Sequence, residues 1–278
     1  MTQRGLLPDG LAAADIRLVV SDMDGTLLDD AGRVPEAFWP LLADMTARGI
    51  AFVPASGRQY YTLAEIFAPH PGSLSYIAEN GSMVMHDGEL LASSNIDPSV
   101  TAAVVDTVRA AAAAGRRLYL IVHRIDGAFI ESEDDHFIGH ARHYCARLEH
   151  VADQSEIPGD AVKLAIFDAD DAETSAALFT SIVGDHKMAV SGHHWIDITA
   201  PGTHKATGVA ALQELVGAGP ENTVAFGDYL NDLEMLDAAE WSFAMSNAHP
   251  EVLERARYRA PTNLEAGVVA VLAQLLEE

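Results

Sequence analysis

The chain has 278 residues, 49% of them hydrophobic and 21% charged, and a formal net charge of −24. The length suits one large domain or two modest ones, and the composition is that of a soluble globular enzyme. The acid excess argues against nucleic-acid and anionic-membrane binding, which need basic surface, and no apolar run approaches the roughly 20 residues that cross a bilayer.

Met1 to Asp15 lacks a basic region followed by an apolar stretch, so no secretory signal is expected. Cys145 is the single cysteine, which rules out an intrachain disulfide and fits a reducing, cytoplasmic location. Ile16 to Asp22 reads as a buried strand. A helix follows over Glu36 to Arg48, between Pro35 and Gly49. Ile50 to Ala55 is a second strand whose pairing should stop near Pro54. Tyr61 to Ala68 reads as helix and Ser75 to Ala78 as a third strand. This alternation implies a parallel sheet with helices on both faces.

The pattern then changes. Ser82 to Ser93 reads as a hairpin around Asp87-Gly88. Next come a helix over Pro98 to Ala114, strands over Arg117 to His123 and Ala128 to Glu131, and a helix over Asp134 to Glu149. A strand (Val162 to Phe167), a helix (Ala172 to Val183) and a hairpin (Lys187 to Ser191, His194 to Ile198) follow. After Lys205 the α/β alternation returns: helix Ala206 to Val216, strand Thr223 to Phe226, helix Asn231 to Ala239, strand Trp241 to Met245, and helices Pro250 to Arg257 and Leu264 to Leu276. The expected architecture is α/β: a Rossmann-like parallel-sheet core, residues 1–84 and 191–278, interrupted by an α+β insert over 85–190.

Four short motifs fall at strand ends or helix starts, where open α/β sheets bind ligands. Asp22-Met23-Asp24-Gly25-Thr26 places two carboxylates two residues apart, one able to attack phosphorus and one able to move a proton. Taken alone it is also readable as a polar turn with surface aspartates. Ala55-Ser56-Gly57-Arg58 offers a hydroxyl and backbone N–H groups for phosphate oxygens, or a plain helix cap. Lys205, one of only three lysines (with Lys163 and Lys187), precedes a helix, where a cation opposes the helix dipole unless an anion is near. Gly227-Asp228-Tyr229-Leu230-Asn231-Asp232 adds two carboxylates to an oxygen-rich set suited to Mg2+, or caps the next helix.

In this order the four motifs resemble those of the haloacid dehalogenase superfamily, along the whole chain. The insert between the second and third motifs is similar to the large cap of the subclass IIB, Cof-type phosphatases, as is the pattern Gly227, Asp228, Asn231, Asp232, Met235, Leu236. The resemblance implies a Mg2+-dependent phosphohydrolase acting on small phosphorylated substrates, sugar phosphates first, through a phosphorylated Asp22. It makes Asp22 nucleophile and metal ligand, and Asp24 the acid/base with its carbonyl on the metal. Ser56, Gly57, Lys205 and Asn231 would hold phosphate, and Asp228 and Asp232 would bind or support the metal. Neighbouring readings are a sucrose- or mannosyl-type phosphatase, a phosphomutase-like transferase, or a non-catalytic binding protein on the same scaffold; the last predicts loss of a catalytic carboxylate, and all four are present. Tyr229 departs from the small or polar residue often found there. His136, His140 and His143 share one predicted helix face; without carboxylate or cysteine companions they read as solvated surface. Cys145 and Met235 read as core.

Overall fold

In the computed structural model, which describes residues 6–70 and 72–277, the strand expected at the N-terminus is β1 (Leu18–Asp22), buried along its whole length. The first five residues of the N-terminal stretch lie outside the described ones. In chain order come α1 (Phe38–Ala47), β2 (Ala51–Ala55), α2 (Tyr60–Ile66), β3 (Ser75–Ala78), β4 (Met83–His86), β5 (Glu89–Ser93), α3 (Pro98–Ala113), β6 (Leu118–Arg124), β7 (Gly127–Ile130), α4 (Asp135–Tyr144) and β8 (Leu148–His150). They are followed by β9 (Lys163–Asp168), α5 (Ala172–Ala176), β10 (Lys187–Gly192), β11 (Trp195–Thr199), α6 (Lys205–Val216), β12 (Thr223–Gly227), α7 (Leu233–Asp237), β13 (Trp241–Met245), α8 (Pro250–Arg255), β14 (Tyr258–Ala260) and α9 (Gly267–Glu277).

The chain divides into two compact units. The first contains the sequence up to Gly57, Ile66–Ala92, and everything from His204 onward. Its sheet runs β14-β13-β12-β1-β2-β3-β4-β5. All pairs from β14 to β3 are parallel, and β4 turns back antiparallel on β3. The chain moves outward from β1 through β2 and β3, then resumes on the other side of β1 at β12. This reversal of strand order opens a crevice at the C-terminal ends of β1 and β12. Leu18 and Val20 of β1 pack with Val53, Ile77, Val209, Leu212, Ala225 and Met235. An aromatic group in which Phe38 meets Phe52 and Phe67 edge to face forms a second packed region.

The second unit, Arg58–Glu65 with Ser93–Thr203, carries a six-stranded sheet in the order β10-β11-β9-β6-β7-β8. Alternate residues divide its two faces. Leu118, Leu120, Val122, Leu164 and Ile166 pack with Val104, Val105 and Val108 of α3, while Ile121, Ala165 and Phe167 pack with Phe137, Ala141 and Cys145 of the α4 segment. The cysteine is core, as its sequence context implied, and so is Met235 in the first unit.

The division differs from 85–190 at both ends. β5 completes the eight-stranded sheet, and β11 pairs with β9, so both hairpins stay with the sheet they extend. Several element limits also move. β2 continues through Pro54, with Ala55 beside Asp22, since proline lacks an N–H and so leaves out a single ladder donor while its carbonyl can still accept. The helix expected over Asp134 to Glu149 stops at Tyr144, and β8 instead adds in parallel to the edge strand β7. The helix expected over Ala172 to Val183 ends at Ala176 and continues as turns with bonds three residues back, such as Phe179 N–H to Ala176 O, which still bury Phe179. The short edge strand β14 has no periodic signature and was not expected. No helix among the described residues is long and apolar enough to cross a membrane.

Candidate active site

β1, β2 and β12 lie in register, with Asp22 opposite Ala55 and Ser21 opposite Phe226, so their exit loops leave the sheet at one level. After Asp22 the chain enters a wide turn, Met23–Leu27, in which Gly25 takes φ +80°. A Cβ at Gly25 would collide with the Asp228 carboxylate, so glycine is required for both the turn and the approach. The Thr26 hydroxyl donates to Asp228 Oδ1 at 2.9 Å, and Asn247 Nδ2 donates to the Gly25 carbonyl at 2.8 Å. The loops after β1 and β12 are thus tied directly together.

Lys205, the first residue of α6, is completely buried. Its Nζ donates to Asp22 Oδ1 and, at 2.7 Å, to Asp232 Oδ1. Asp232 Oδ2 accepts the backbone N–H groups of Asp228 (2.9 Å) and Tyr229 (3.1 Å). Both oxygens of Asp232 are therefore engaged. Asp22 Oδ2 is buried and has no hydrogen-bond partner. One carboxylate oxygen from each of Asp22, Asp228 and Asp232 lies within 4.8 Å of the others.

Electrostatics follow from this crowding. Burial, and then the charges of Asp232 and Asp228, hold the Asp22 carboxyl well above the usual carboxylate range, against the pull of Lys205. Burial pushes Asp228 up to about 6, with the Thr26 hydroxyl and Lys205 opposing and Asp232 adding to the shift. Burial works against the Lys205 charge, but Asp22 and Asp232 override it and raise its pKa. An excess of buried negative charge, oxygen donors only, and one bare carboxylate oxygen fit a hard divalent cation.

The other residues singled out from sequence are placed as follows. Asp24 is exposed on the turn beside Asp22, and its carboxylate is not one of the three clustered ones. Ser56 is buried, its N–H donating to Ile77 O at 2.9 Å. It does not cap α2, which begins four residues later at Tyr60. Asn231 is half-buried and donates from Nδ2 to Asn80 Oδ1 at 3.1 Å. Asp232 does cap its helix start, through the Tyr229 N–H, and this coexists with its bond to Lys205. Tyr229 is 58% exposed and meets His249 edge to face. Sequence reasoning missed Asn80, although Asn80-Gly81 is a strong turn signal directly after the third strand. His140 rests on Phe167 and near His136 and His194, and its pKa is lowered first by burial and then by those neighbours. Among the described residues no histidine joins a group able to share an ion.

A family model described as haloacid dehalogenase-like hydrolase matches residues 19–272. The chain is 34% identical over 267 residues to the 5-amino-6-(5-phospho-D-ribitylamino)uracil phosphatase YbjI of Escherichia coli (strain K12), covering 94% of this chain and 97% of that one. It is 28% identical to the HMP-PP phosphatase of Cronobacter sakazakii, over 85% of this chain and 86% of that one. The crystal structure of a haloacid dehalogenase-like hydrolase from Bacteroides thetaiotaomicron, 22% identical, superposes with a TM-score of 0.83 over 94% of this chain and 99% of that one, which shows a shared fold.

Proposed function

The chain belongs to the haloacid dehalogenase-like hydrolases and is a phosphatase of that family, and from that premise we propose that it releases phosphate from small phosphorylated metabolites by way of a phosphorylated Asp22, with Mg2+ as its metal. The observation that carries this reading is the state of Asp22: one oxygen is held by Lys205 and the other is buried without a partner. A bare buried carboxylate oxygen is costly in a purely structural role. It is well suited to an incoming electrophile or cation.

Asp22 and Asp228 would hold the metal, together with the Asp24 carbonyl. Asp232, with both oxygens engaged, supports the site by fixing Lys205 and the Asp228 loop. When bound, Mg2+ offsets charge on the phosphoryl oxygens. An Asp22 oxygen attacks phosphorus, and the bond from phosphorus to the ester oxygen breaks. Asp24 gives its proton to that leaving oxygen. It then takes a proton from water, whose oxygen attacks the same phosphorus, freeing phosphate and restoring Asp22. Lys205, Ser56, the Gly57 N–H and Asn231 hold the phosphoryl oxygens. The fixed Lys205 charge is in place before reaction and needs no reorganisation.

Sugar phosphates and related esters are the substrate class. The name of the 34%-identical relative makes 5-amino-6-(5-phospho-D-ribitylamino)uracil, a sugar-alcohol phosphate, the first compound to test. The deciding experiment follows phosphate release from this compound, a panel of sugar phosphates and an aryl phosphate. Turnover should vanish with chelator and return with Mg2+. Full activity in metal-free buffer would refute the proposal.

A further inference from the structure

Between β3 and β4 the chain reverses through Glu79, Asn80 and Gly81, which take φ values of +51°, +56° and +97°. Three successive left-handed residues are unusual, since only glycine and, less readily, asparagine enter that region at low cost. The next hairpin, from β4 to β5, makes its reversal with the exposed pair Asp87-Gly88 alone. Reversal by itself therefore does not require the buried Glu79 or its backbone.

What distinguishes the first turn is its surroundings. The Asn80 N–H donates to the Ser56 carbonyl at 2.9 Å. Asn80 Oδ1 accepts from Asn231 Nδ2 at 3.1 Å. A Cβ built on Gly57 would come within 3.0 Å of Asn80 Nδ2, so the amide closes directly over that glycine. A Cβ built on Gly81 would collide with the His204 carbonyl, one residue before Lys205. A single turn thus touches the loops bearing all four groups assigned to phosphate: Ser56, Gly57, Lys205 and Asn231.

We propose that Asn80 is a positioning residue for the phosphoryl group, acting through Asn231 and Gly57. This deepens the phosphatase reading above and rests on it. Asn80 holds the Asn231 amide in one orientation and fixes the Ser56-Gly57 backbone, so both present donors to a phosphate without first having to be ordered. Its left-handed backbone is the condition for this. An ordinary residue there would swing the side chain away from Asn231.

Asn80→Gly tests the proposal, because glycine keeps the backbone and removes only the amide. Two quantities are measured with Mg2+ present: the Kd for inorganic phosphate by calorimetry, and kcat/KM for an aryl phosphate and a sugar phosphate. The variant should melt like the wild type, bind phosphate about tenfold more weakly, and lose kcat/KM by a common factor on both substrates. In an Asn231→Ala background the same change should cost clearly less than it does alone, because only the contact over Gly57 remains to be lost. Wild-type phosphate affinity in a folded Asn80→Gly chain overturns the assignment. So do effects that multiply as for independent sites, or a loss confined to one substrate. If Asn80→Gly does not fold, Asn80→Ala makes the same comparison, since alanine removes the Oδ1 acceptor for Asn231 and the Nδ2 donor together and adds no charge beside the phosphate. If the wild type binds phosphate but turns over nothing, the phosphatase reading fails while the Kd still judges Asn80. If it binds no phosphate, both fall.

Discussion

Lys205 shows how far chemistry and stability share a residue in this site. It is the cation between two buried carboxylates, at 0% exposure. Lys205→Ala leaves Asp22 and Asp232 without that charge, and breaking a buried pair in this way costs about 3 to 5 kcal/mol. Urea denaturation should show that loss, and Mg2+ should recover part of it by supplying positive charge to the folded state only. Asp22→Asn has the opposite balance. It removes one of several mutually repelling charges, so the fold should persist in thermal melts while turnover disappears; a folded Asp22→Asn chain with near-wild-type rate contradicts the nucleophile assignment. The raised pKa values set a pH dependence for the metal. Asp228 sits at about 6 and Asp22 is also raised, so both hold protons at pH values where ordinary carboxylates have lost them. Mg2+ must displace those protons, so its affinity should fall as pH drops through about 6, with proton release on binding. Calorimetry at pH 5.5 and 7.5, in buffers of different ionisation enthalpy, measures both effects.

At the level of elements, α6 is the piece that delivers Lys205. It approaches the sheet closely at Gly208, where a Cβ would come within 2.7 Å of Ile77 on β3. Gly208→Val should therefore overpack this contact and cost about 1 to 3 kcal/mol in chemical denaturation. Because the displaced helix carries Lys205, kcat should fall on every substrate as well; an unchanged denaturation midpoint would show that α6 yields at no cost. Elements with a strong periodic or capping signal were readable in advance, such as β1, the Asp87-Gly88 hairpin and α3 with Pro98 at its start. The elements that moved are those decided by a neighbour. The Arg147 to His150 segment leaves helix because β7 offers an open edge. Likewise Ala266, at φ +52°, breaks the last helix so that α9 starts at Gly267 rather than at Leu264.

For the molecule as a whole, the two units divide the chemistry unequally: among the described residues the one acidic group able to share an ion lies in the first unit. The insert holds a different polar set. Lys163 is buried beside His123 on β6 and Thr199 on β11. Lys205→Ala should lower kcat/KM for a sugar phosphate and for an aryl phosphate alike, since both carry the same phosphoryl group. Steady-state kinetics on the two substrates measure this, and a loss confined to one of them in a folded chain contradicts the role of Lys205. By itself the sequence determined the class of fold, the four motifs in order and the acidity that demands a local cation, because strand periodicity, strand-end placement and charge are local or additive properties. Only the tertiary structure decided that Asp232 serves Lys205 and the backbone with both oxygens, that Asp22 keeps one oxygen bare, and that Asn80 touches Asn231. Those facts depend on side chains that meet across 27, 183 and 151 positions of sequence, and no local pattern encodes which of a residue's two oxygens will find a partner once the sheet has brought its loops together.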